Sequence, residues 1–260
     1  MILLNYTNME RKKFFDQILL LIDLINNYKK INIMRRQNED EIIQGNNILI
    51  NGNNIEFIDK LFSFFYNQAS YHCFVNEMNF IDLEADDEKL IQHLSFIDIG
   101  NLYIEGCNLN LNCLKHLSIQ NLDLSKTSVT DIKGICEIAT LSSLNLSNNP
   151  YISNLFLLKD AKFKKLKELH LSNNNLKDLY SIKMGEYKFD NLTILDLSHN
   201  EIEDLTPVQI AFESLKILNL QDNNIKRRVE LSYIIQKNKL CRIMLEGNET
   251  SIWDFGTYIK

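Results

Sequence analysis

The sequence lacks most of the features that mark secreted or membrane-spanning proteins. Its five cysteines fall at irregular spacing with no C-x-x-C pair, which predicts reduced thiols rather than a disulfide framework. The N-terminus turns polar at once and has no basic region before its apolar residues, so a secretory signal is not expected. The apolar run at 18–25 is broken by Asp23 and is too short to cross a bilayer. We therefore expect an intracellular protein, cytoplasmic or nuclear, without membrane contact.

Positive charge is also in deficit, and catalytic motifs are missing. The formal net charge is −6, which argues against a whole-molecule field that draws the protein onto nucleic acid or anionic membrane. The patterns H-E-x-x-H, G-x-x-x-x-G-K-[ST] and G-x-G-x-x-G do not occur, so metalloprotease and common nucleotide-binding chemistry have no sequence support. We predict a protein that is not an enzyme and has no cofactor, no metal and no small-molecule substrate.

What the sequence does contain is one phrase, close to L-x-x-L-x-L-x-x-N-x-L, written seven times between Ile99 and Asn248. This phrase and its period resemble those of intracellular leucine-rich repeat proteins. The resemblance implies a curved α/β solenoid, in which short parallel strands form the concave face and helices or loops form the convex face. The copies begin 20, 22, 25, 26, 23 and 25 residues apart, at Ile99, Ile119, Leu141, Leu166, Leu192, Leu215 and Leu240.

The chain divides into two predicted regions. Residues 9–30 place apolar side chains on one helical face, which predicts an amphipathic helix that covers the first repeat. We assign 1–44 to an N-terminal helical cap and 45–260 to a repeat domain of about nine repeats. The first two repeats, around Ile48 and Val75, are degenerate.

The asparagine of each phrase has a predicted structural role. Alternate leucines in a short strand point into the core, and the asparagine side chain can hydrogen-bond the backbone of the turn that leaves the strand. We therefore expect that substitution of Asn174 or Asn200 costs stability before it costs binding.

The non-leucine positions of the strands predict the concave surface. These positions hold more acids than bases, whereas a nucleic-acid groove would show the opposite balance with stacking aromatics. The protein is therefore expected to be a docking or adaptor protein that binds another protein, one with a basic surface. We predict partner contacts by Tyr103, Glu105, Asp123, Asn145, Glu168, His170, Asp196, His199, Asn219 and Met244.

Three of these residues also suggest a catalytic or metal site. His170, Asp196 and His199 belong to neighbouring predicted strands and could approach one another. A His/Asp pair without an evident nucleophile, oxyanion donor or third ligand is more often a polar ladder or a binding contact, which is therefore the preferred interpretation.

Basic residues cluster away from the predicted concave face. Such clusters suit either a solvated convex surface or contacts with RNA phosphates in a ribonucleoprotein particle, such as a ribosome, a spliceosomal particle or an export complex. Phosphate contacts would anchor the protein without reading sequence. The candidate phosphate-binding residues are Lys162, Lys164, Lys165, Arg227 and Arg228.

A narrower resemblance involves the last repeats. The run 215–225, then Val229-Glu230-Leu231, then Leu245-Glu246-Gly247-Asn248 and Thr257-Tyr258-Ile259, resembles the end of the repeat domain in nuclear mRNA-export receptors. That resemblance implies a role in RNA export, with the repeats helping to bind RNA and adaptors.

Overall fold

The computed structural model describes residues 47–51, 73–81, 95, 97–105, 107, 110–158, 161, 163–180, 189–211, 214–226, 234 and 242–249. The helical cap predicted for 1–44 lies outside these residues. In the described part of the chain, no helix is both long enough and apolar enough to cross a membrane.

One parallel sheet of nine strands, arranged in the order of the chain, organises the described residues. β1 and β2 lie at the two degenerate repeats, and the other seven strands lie at the seven clear copies of the phrase. This arrangement confirms the predicted solenoid. The strands are β1 (Asn47–Asn51), β2 (Cys73–Ile81), β3 (Ile97–Glu105), β4 (Ser118–Asp123), β5 (Ser143–Asn145), β6 (Glu168–His170), β7 (Ile194–Asp196), β8 (Ile217–Asn219) and β9 (Arg242–Met244).

Not all strands are as short as the repeat pattern predicts. β5 to β9 have three residues each, whereas β2 and β3 have nine. Their pairing already begins at Cys73 opposite Ile97. The β-branched residues Val75, Ile97 and Ile99 favour this longer extended backbone.

A buried ladder of apolar residues runs through the centre of the sheet. Each member is paired in register with the corresponding residue of the next strand, and each is at most 2% exposed. Successive side chains of a strand point to opposite faces, so the residues on either side of each member face away from the core. The ladder consists of Met78, Leu102, Leu122, Leu144, Leu169, Leu195, Leu218 and Ile243.

The return segments that the described residues contain on the convex side are short. Three are 3-10 turns, η1 (Leu111–His116), η2 (Ile135–Glu137) and η3 (Phe156–Leu158), and one is an α-helix, α1 (Thr206–Ala211). Pro207 is the second residue of α1, a position where a missing N–H is tolerated. In five repeats a side-chain oxygen accepts the N–H two residues later, which starts the return segment, and these acceptors are Asn110, Asp131, Asn154, Asp178 and Asp204.

The asparagines of the phrase form a second ladder that joins successive repeats. Nδ2 of Asn174 donates to Leu171 O in its own repeat and to Leu146 O in the preceding one, both at 3.1 Å. Its Oδ1 accepts the backbone N–H of Asn149 at 2.6 Å. The same two-way contact with the preceding repeat recurs at Asn149, Asn200, Asn223 and Asn248. The backbone role predicted for Asn174 and Asn200 is therefore confirmed.

In six repeats, the residue before the asparagine position of the phrase adopts the left-handed backbone conformation. The φ angles of these residues lie between 51° and 76°, a region that asparagine, aspartate, histidine and glycine occupy more readily than other residues. Five of the six residues are of these four types, which is a sequence signal that the leucine pattern hides. The six are Lys126, Asn148, Asn173, His199, Asp222 and Gly247.

The first two clear repeats depart from the asparagine ladder. Cys107 and Thr127 occupy the asparagine position there. Thr127 Oγ1 donates to Leu124 O at 2.6 Å, and Cys107 Sγ donates to Glu105 O at 3.3 Å. Cys107 is half-buried, so the fully buried position expected for the asparagine slot is not reached there.

Candidate functional site

The concave face consists of two rows of side chains that flank the buried apolar ladder. Every residue in both rows is half-buried or exposed, as the period of a strand requires. The leading row contains Glu77, Asn101, Asn121, Ser143, Glu168, Ile194, Ile217 and Arg242. The middle row contains Asn79, Tyr103, Asp123, Asn145, His170, Asp196, Asn219 and Met244.

The middle row brings together seven of the predicted contact residues, from Tyr103 to Met244, and Glu168 lies in the leading row. Tyr103 is 40% exposed. Glu105 is exposed at the end of β3, two residues beyond the middle row, and His199 is exposed in the left-handed turn after β7. These ten side chains therefore line one continuous side of the sheet and its rim.

Four members of the middle row also hold the backbone of the turn. Oδ1 of Asp123 accepts the N–H of Ser125 at 2.8 Å, and Oδ1 of Asp196 accepts that of Ser198 at 3.0 Å. Asn145 and Asn219 accept the N–H two residues later in the same way. An aspartate and an asparagine are thus interchangeable for this contact, because each presents an oxygen at the same place. The repeat pattern alone did not predict this second role.

The position two residues beyond the middle row is buried in two of the repeats. Ser147 and Ser198 there are 8% and 4% exposed. Ser198 Oγ lies 2.7 Å from Asp196 Oδ1 and 2.9 Å from Ser172 Oγ. The chain turns inward after the short strand, so these hydroxyls line the turn rather than the open face.

A shallow depression of about 390 Å³ occupies the part of the concave face formed by β3 to β6. Nδ2 of Asn145 donates to Asp123 Oδ2 at 3.1 Å, and the Ser143 hydroxyl lies 3.4 Å from Glu168 Oε2. Asn101 and Asn121 form a further pair on the leading row, 3.0 Å apart from Nδ2 to Oδ1. Asn101, Asn121 and Ser143 are not among the predicted partner contacts, although the spacing of the repeats places them in register.

The part formed by β7 and β8 is less polar than predicted. Ile194 and Ile217 are paired in register on the leading row and are half-buried. Met244 follows on the middle row, also half-buried. These three residues form an apolar patch beside Asp196. This apolar patch could have been predicted from the sequence, because an isoleucine precedes the core leucine in both Ile194-Leu195 and Ile217-Leu218.

The two histidines near Asp196 do not assemble a catalytic dyad with it. His170 Nε2 lies 3.7 Å from Glu168 Oε2, and His199 Nδ1 lies 3.2 Å from Asp222 Oδ2. The Asp196 carboxylate instead contacts the backbone and hydroxyl of Ser198. Within the described residues, no three His, Cys, Asp or Glu side chains are arranged to hold a metal ion.

Two of the predicted phosphate-binding residues, Lys164 and Lys165, are described by the structure, and both lie outside the concave face. Lys164 and Lys165 are exposed in a turn before β6. They line the edge of the sheet at which the strands begin. Lys162, Arg227 and Arg228 lie outside the described residues, so their predicted contacts stay predictions.

Comparisons with known proteins identify the repeat type. A model of the family described as leucine-rich repeats (2 copies) matches residues 164–210. No curated protein matches the sequence. The resemblance of the last repeats to mRNA-export receptors stays a prediction.

Several solved structures share the fold at low sequence identity. The internalin InlF of Listeria monocytogenes is 18% identical with a TM-score of 0.52, and the match covers 67% of this chain and 55% of that one. Internalin C2 of the same organism is 19% identical with a TM-score of 0.50, over 66% and 74% of the two chains. TLR13, solved in complex with ssRNA13, is 20% identical with a TM-score of 0.56, over 78% of this chain and 29% of that one.

These matches concern the fold. The chain spans about half the length of InlF and less than a third of TLR13. The family model falls within a parallel sheet whose turns repeat the same asparagine contact. We conclude that the chain has the leucine-rich repeat fold, and that residues 164–210 match the repeat family itself.

Proposed function

We propose that the chain is a non-enzymatic docking protein that binds a basic protein surface through its concave face. Leucine-rich repeat proteins are typically binding scaffolds rather than enzymes. The observation that carries the proposal is the row of Asp123, Asn145, His170 and Asp196, held in register across four strands. Because the strands fix these side chains before a partner arrives, little ordering entropy opposes binding.

The distribution of side chains supports one class of partner. Ile194, Ile217 and Met244 supply an apolar patch on the last three strands, where Glu168 and Asp196 supply negative charge on one side and Arg242 lies on the other. Interfaces commonly combine an apolar core with a polar rim. A segment with lysine or arginine residues around an aliphatic anchor complements this surface in both charge and polarity. Cys107, Cys113 and Cys136 are thiols rather than disulfide partners, which supports the proposal that the protein acts inside the cell.

The test removes negative charge while keeping the fold. In the double variant Asp123→Asn/Asp196→Asn, each asparagine can still accept the turn N–H, as Asn145 does in the wild type. We expect binding of a labelled peptide of lysine and leucine residues, measured by fluorescence anisotropy, to weaken by about tenfold because two attractive charges are lost. The circular dichroism spectrum should stay that of the wild type, and the unfolding midpoint should fall only slightly, because Asp123→Asn replaces the oxygen that accepts from Asn145 Nδ2.

A matched control changes the same amount of charge elsewhere. Asp190 and Glu203 are exposed and lie outside the two concave rows, so Asp190→Asn/Glu203→Gln should bind the peptide as the wild type does. If both double variants lost the same peptide affinity, the loss would follow from overall charge, which would contradict the proposed site. Wild-type binding of a glutamate and leucine peptide with the same affinity would contradict the proposed partner class.

A second candidate function is association with a ribonucleoprotein particle. It is supported by Lys164 and Lys165, which are exposed and lie on a different surface from the acidic rows. Sedimentation of the protein from native lysate should then show a fast fraction that ribonuclease removes. A slow fraction that is unchanged by ribonuclease would contradict this candidate and leave the concave-face proposal intact.

A further inference from the structure

A second depression, of about 550 Å³, lies on the edge of the sheet where β3 to β6 begin. Lys164, Lys165 and Lys167 line it together with polar side chains from the neighbouring repeats, namely Ser118, Gln120, Thr140, Ser142 and Asn191. Asp98 is the one acid among its described lining residues. Three lysines within four residues make this edge locally basic in a chain whose net charge is −6.

The three lysines have no acidic partner among the residues that the structure describes. Lys177 and Lys226 behave differently, because their Nζ atoms lie 3.4 Å from Glu201 and 3.8 Å from Glu249. A solvated charged face would be expected to mix both signs as it does at those pairs. At the basic edge the positive charges stand together and stay available to an anion.

The backbone that carries these lysines is fixed on both sides. Lys164 O accepts a hydrogen bond from Asn191 Nδ2 at 2.8 Å, and Lys167 O accepts the N–H of Thr193 at 2.8 Å. Phe163 is buried beneath the turn and its ring centroid lies 6.5 Å from that of Phe189. The backbone of the lysine turn is therefore preorganised, so binding through it has to order the lysine side chains but not the turn that carries them.

Neutral donors surround the lysines. Gln120 is exposed, and the hydroxyls of Ser118 and Ser142 are half-buried within the depression. The hydroxyl of Thr140 is already engaged with the backbone of Ile119. Lysine, serine and glutamine are among the side chains that contact nucleic-acid phosphates and fix the position of a protein without reading sequence.

From this edge we infer a second binding surface, which takes the phosphate backbone of a double-helical RNA. No aromatic side chain is present among the described lining residues, and stacking aromatics are what single-stranded RNA requires. Double-stranded RNA is bound mainly through its shape, its phosphates and its 2′-hydroxyls, which this array of charges and donors can contact.

This inference deepens the second candidate function and rests on it, but it is independent of the concave face. It adds Lys167, Ser118, Gln120 and Ser142 to Lys164 and Lys165, which are two of the five phosphate-binding residues that the sequence predicted. It also fixes where the RNA lies, along the edge where the strands begin.

The experiment uses the full chain and a fluorescently labelled RNA hairpin, with a single-stranded RNA of the same length as comparison. Binding is followed by anisotropy at about 50 and 200 mM salt, and three phosphate contacts predict a loss of about 40-fold in affinity over that range. In Lys164→Gln/Lys165→Gln/Lys167→Gln, we expect hairpin affinity at low salt to fall by about tenfold or more. The control Lys133→Gln/Lys177→Gln/Lys226→Gln removes the same charge elsewhere and should bind as the wild type does.

Several results would overturn the inference. These are failure of the wild type to bind the hairpin at low salt, wild-type affinity in the triple variant of the basic edge, or equal binding of a polyglutamate peptide. Tighter binding of the single strand than of the hairpin would also overturn it. Ribonuclease-sensitive sedimentation that survives in this triple variant would retain the second candidate function and exclude this edge as its cause. The Asp123→Asn/Asp196→Asn variant should bind the hairpin normally.

Discussion

The side chain of Asn200 contacts four backbone groups, two in its own repeat and two in the preceding repeat. Its Nδ2 atom lies 2.9–3.0 Å from the carbonyl oxygens of Leu171, Leu197 and Ser198, and its Oδ1 atom accepts the N–H of Leu176 at 3.1 Å. These groups are buried, where an unsatisfied donor or acceptor is costly. One amide therefore stabilises the contact between two repeats as well as its own turn.

At this scale we predict that Asn200→Ala lowers the free energy of unfolding by about 3 kcal/mol, because several buried backbone groups lose their partner at once. Asn175→Ala is the matched control, since Asn175 is exposed and makes one contact, to Pro150 O. That variant should stay within about 0.5 kcal/mol of the wild type. Urea unfolding followed by circular dichroism measures both, and equal effects would contradict the role assigned to the buried amide.

The sequence predicts residues well where the repeat imposes them and less well elsewhere. The leucines and asparagines follow from the phrase, because core packing and turn closure accept few alternatives. The double role of Asp196, as a turn acceptor and a surface charge, depends on the exact turn that follows the strand. Likewise, the buried state of Ser198 reflects an inward bend that a period-2 pattern does not contain.

At the scale of the elements, the return segment η2 is preceded by Gly134, whose backbone lies close against η1. A Cβ atom there would overlap Leu111 O and the Cα atom of Asn112. Both are backbone atoms, so no side-chain rotation relieves the overlap. The glycine is required for proximity, since its φ of −63° is ordinary for any residue.

We therefore expect Gly134→Ala to push η1 and η2 apart and to lower the free energy of unfolding by about 3 kcal/mol. Lys133→Ala tests the neighbouring exposed position and should have almost no effect. Thermal unfolding of the two variants provides the measurement. A Gly134→Ala protein as stable as the wild type would show that the two segments can separate freely.

Strands were easier to predict than return segments for a physical reason. Each inner strand must pair with two neighbours in one register, which restricts its apolar positions. A return segment needs only to cover the core and reach the next strand, so 3-10 turns and the short helix α1 both satisfy it. Its conformation depends on local acceptors such as Asp131 and Asp204 rather than on the period.

At the scale of the whole molecule, the apolar ladder forms one core without a break from Met78 to Ile243. Each repeat contacts its neighbours along this ladder, and stability in such arrays is shared between repeats and the interfaces between them. Leu169 stands in the middle, paired with Leu144 on one side and Leu195 on the other.

We predict that Leu169→Ala lowers the free energy of unfolding by about 3 kcal/mol, and that the described array still unfolds as one unit. Urea unfolding followed by circular dichroism, and amide hydrogen exchange in β4 and β8, should report the same loss of unfolding free energy, because one core joins these strands. A transition that splits into two steps, with β8 unfolding apart from β4, would contradict a single cooperative array.

The asparagine ladder also has a direction, because each amide completes the turn of the repeat before it. The backbone N–H of Val129 donates to Asn149 Oδ1 of the next repeat, and that of Ile225 donates to Asn248 Oδ1. A nascent chain folds from its N-terminal end as it leaves the ribosome. Each newly emerged turn therefore keeps open backbone groups until its successor has been synthesised, and the folded front trails the ribosome by one repeat.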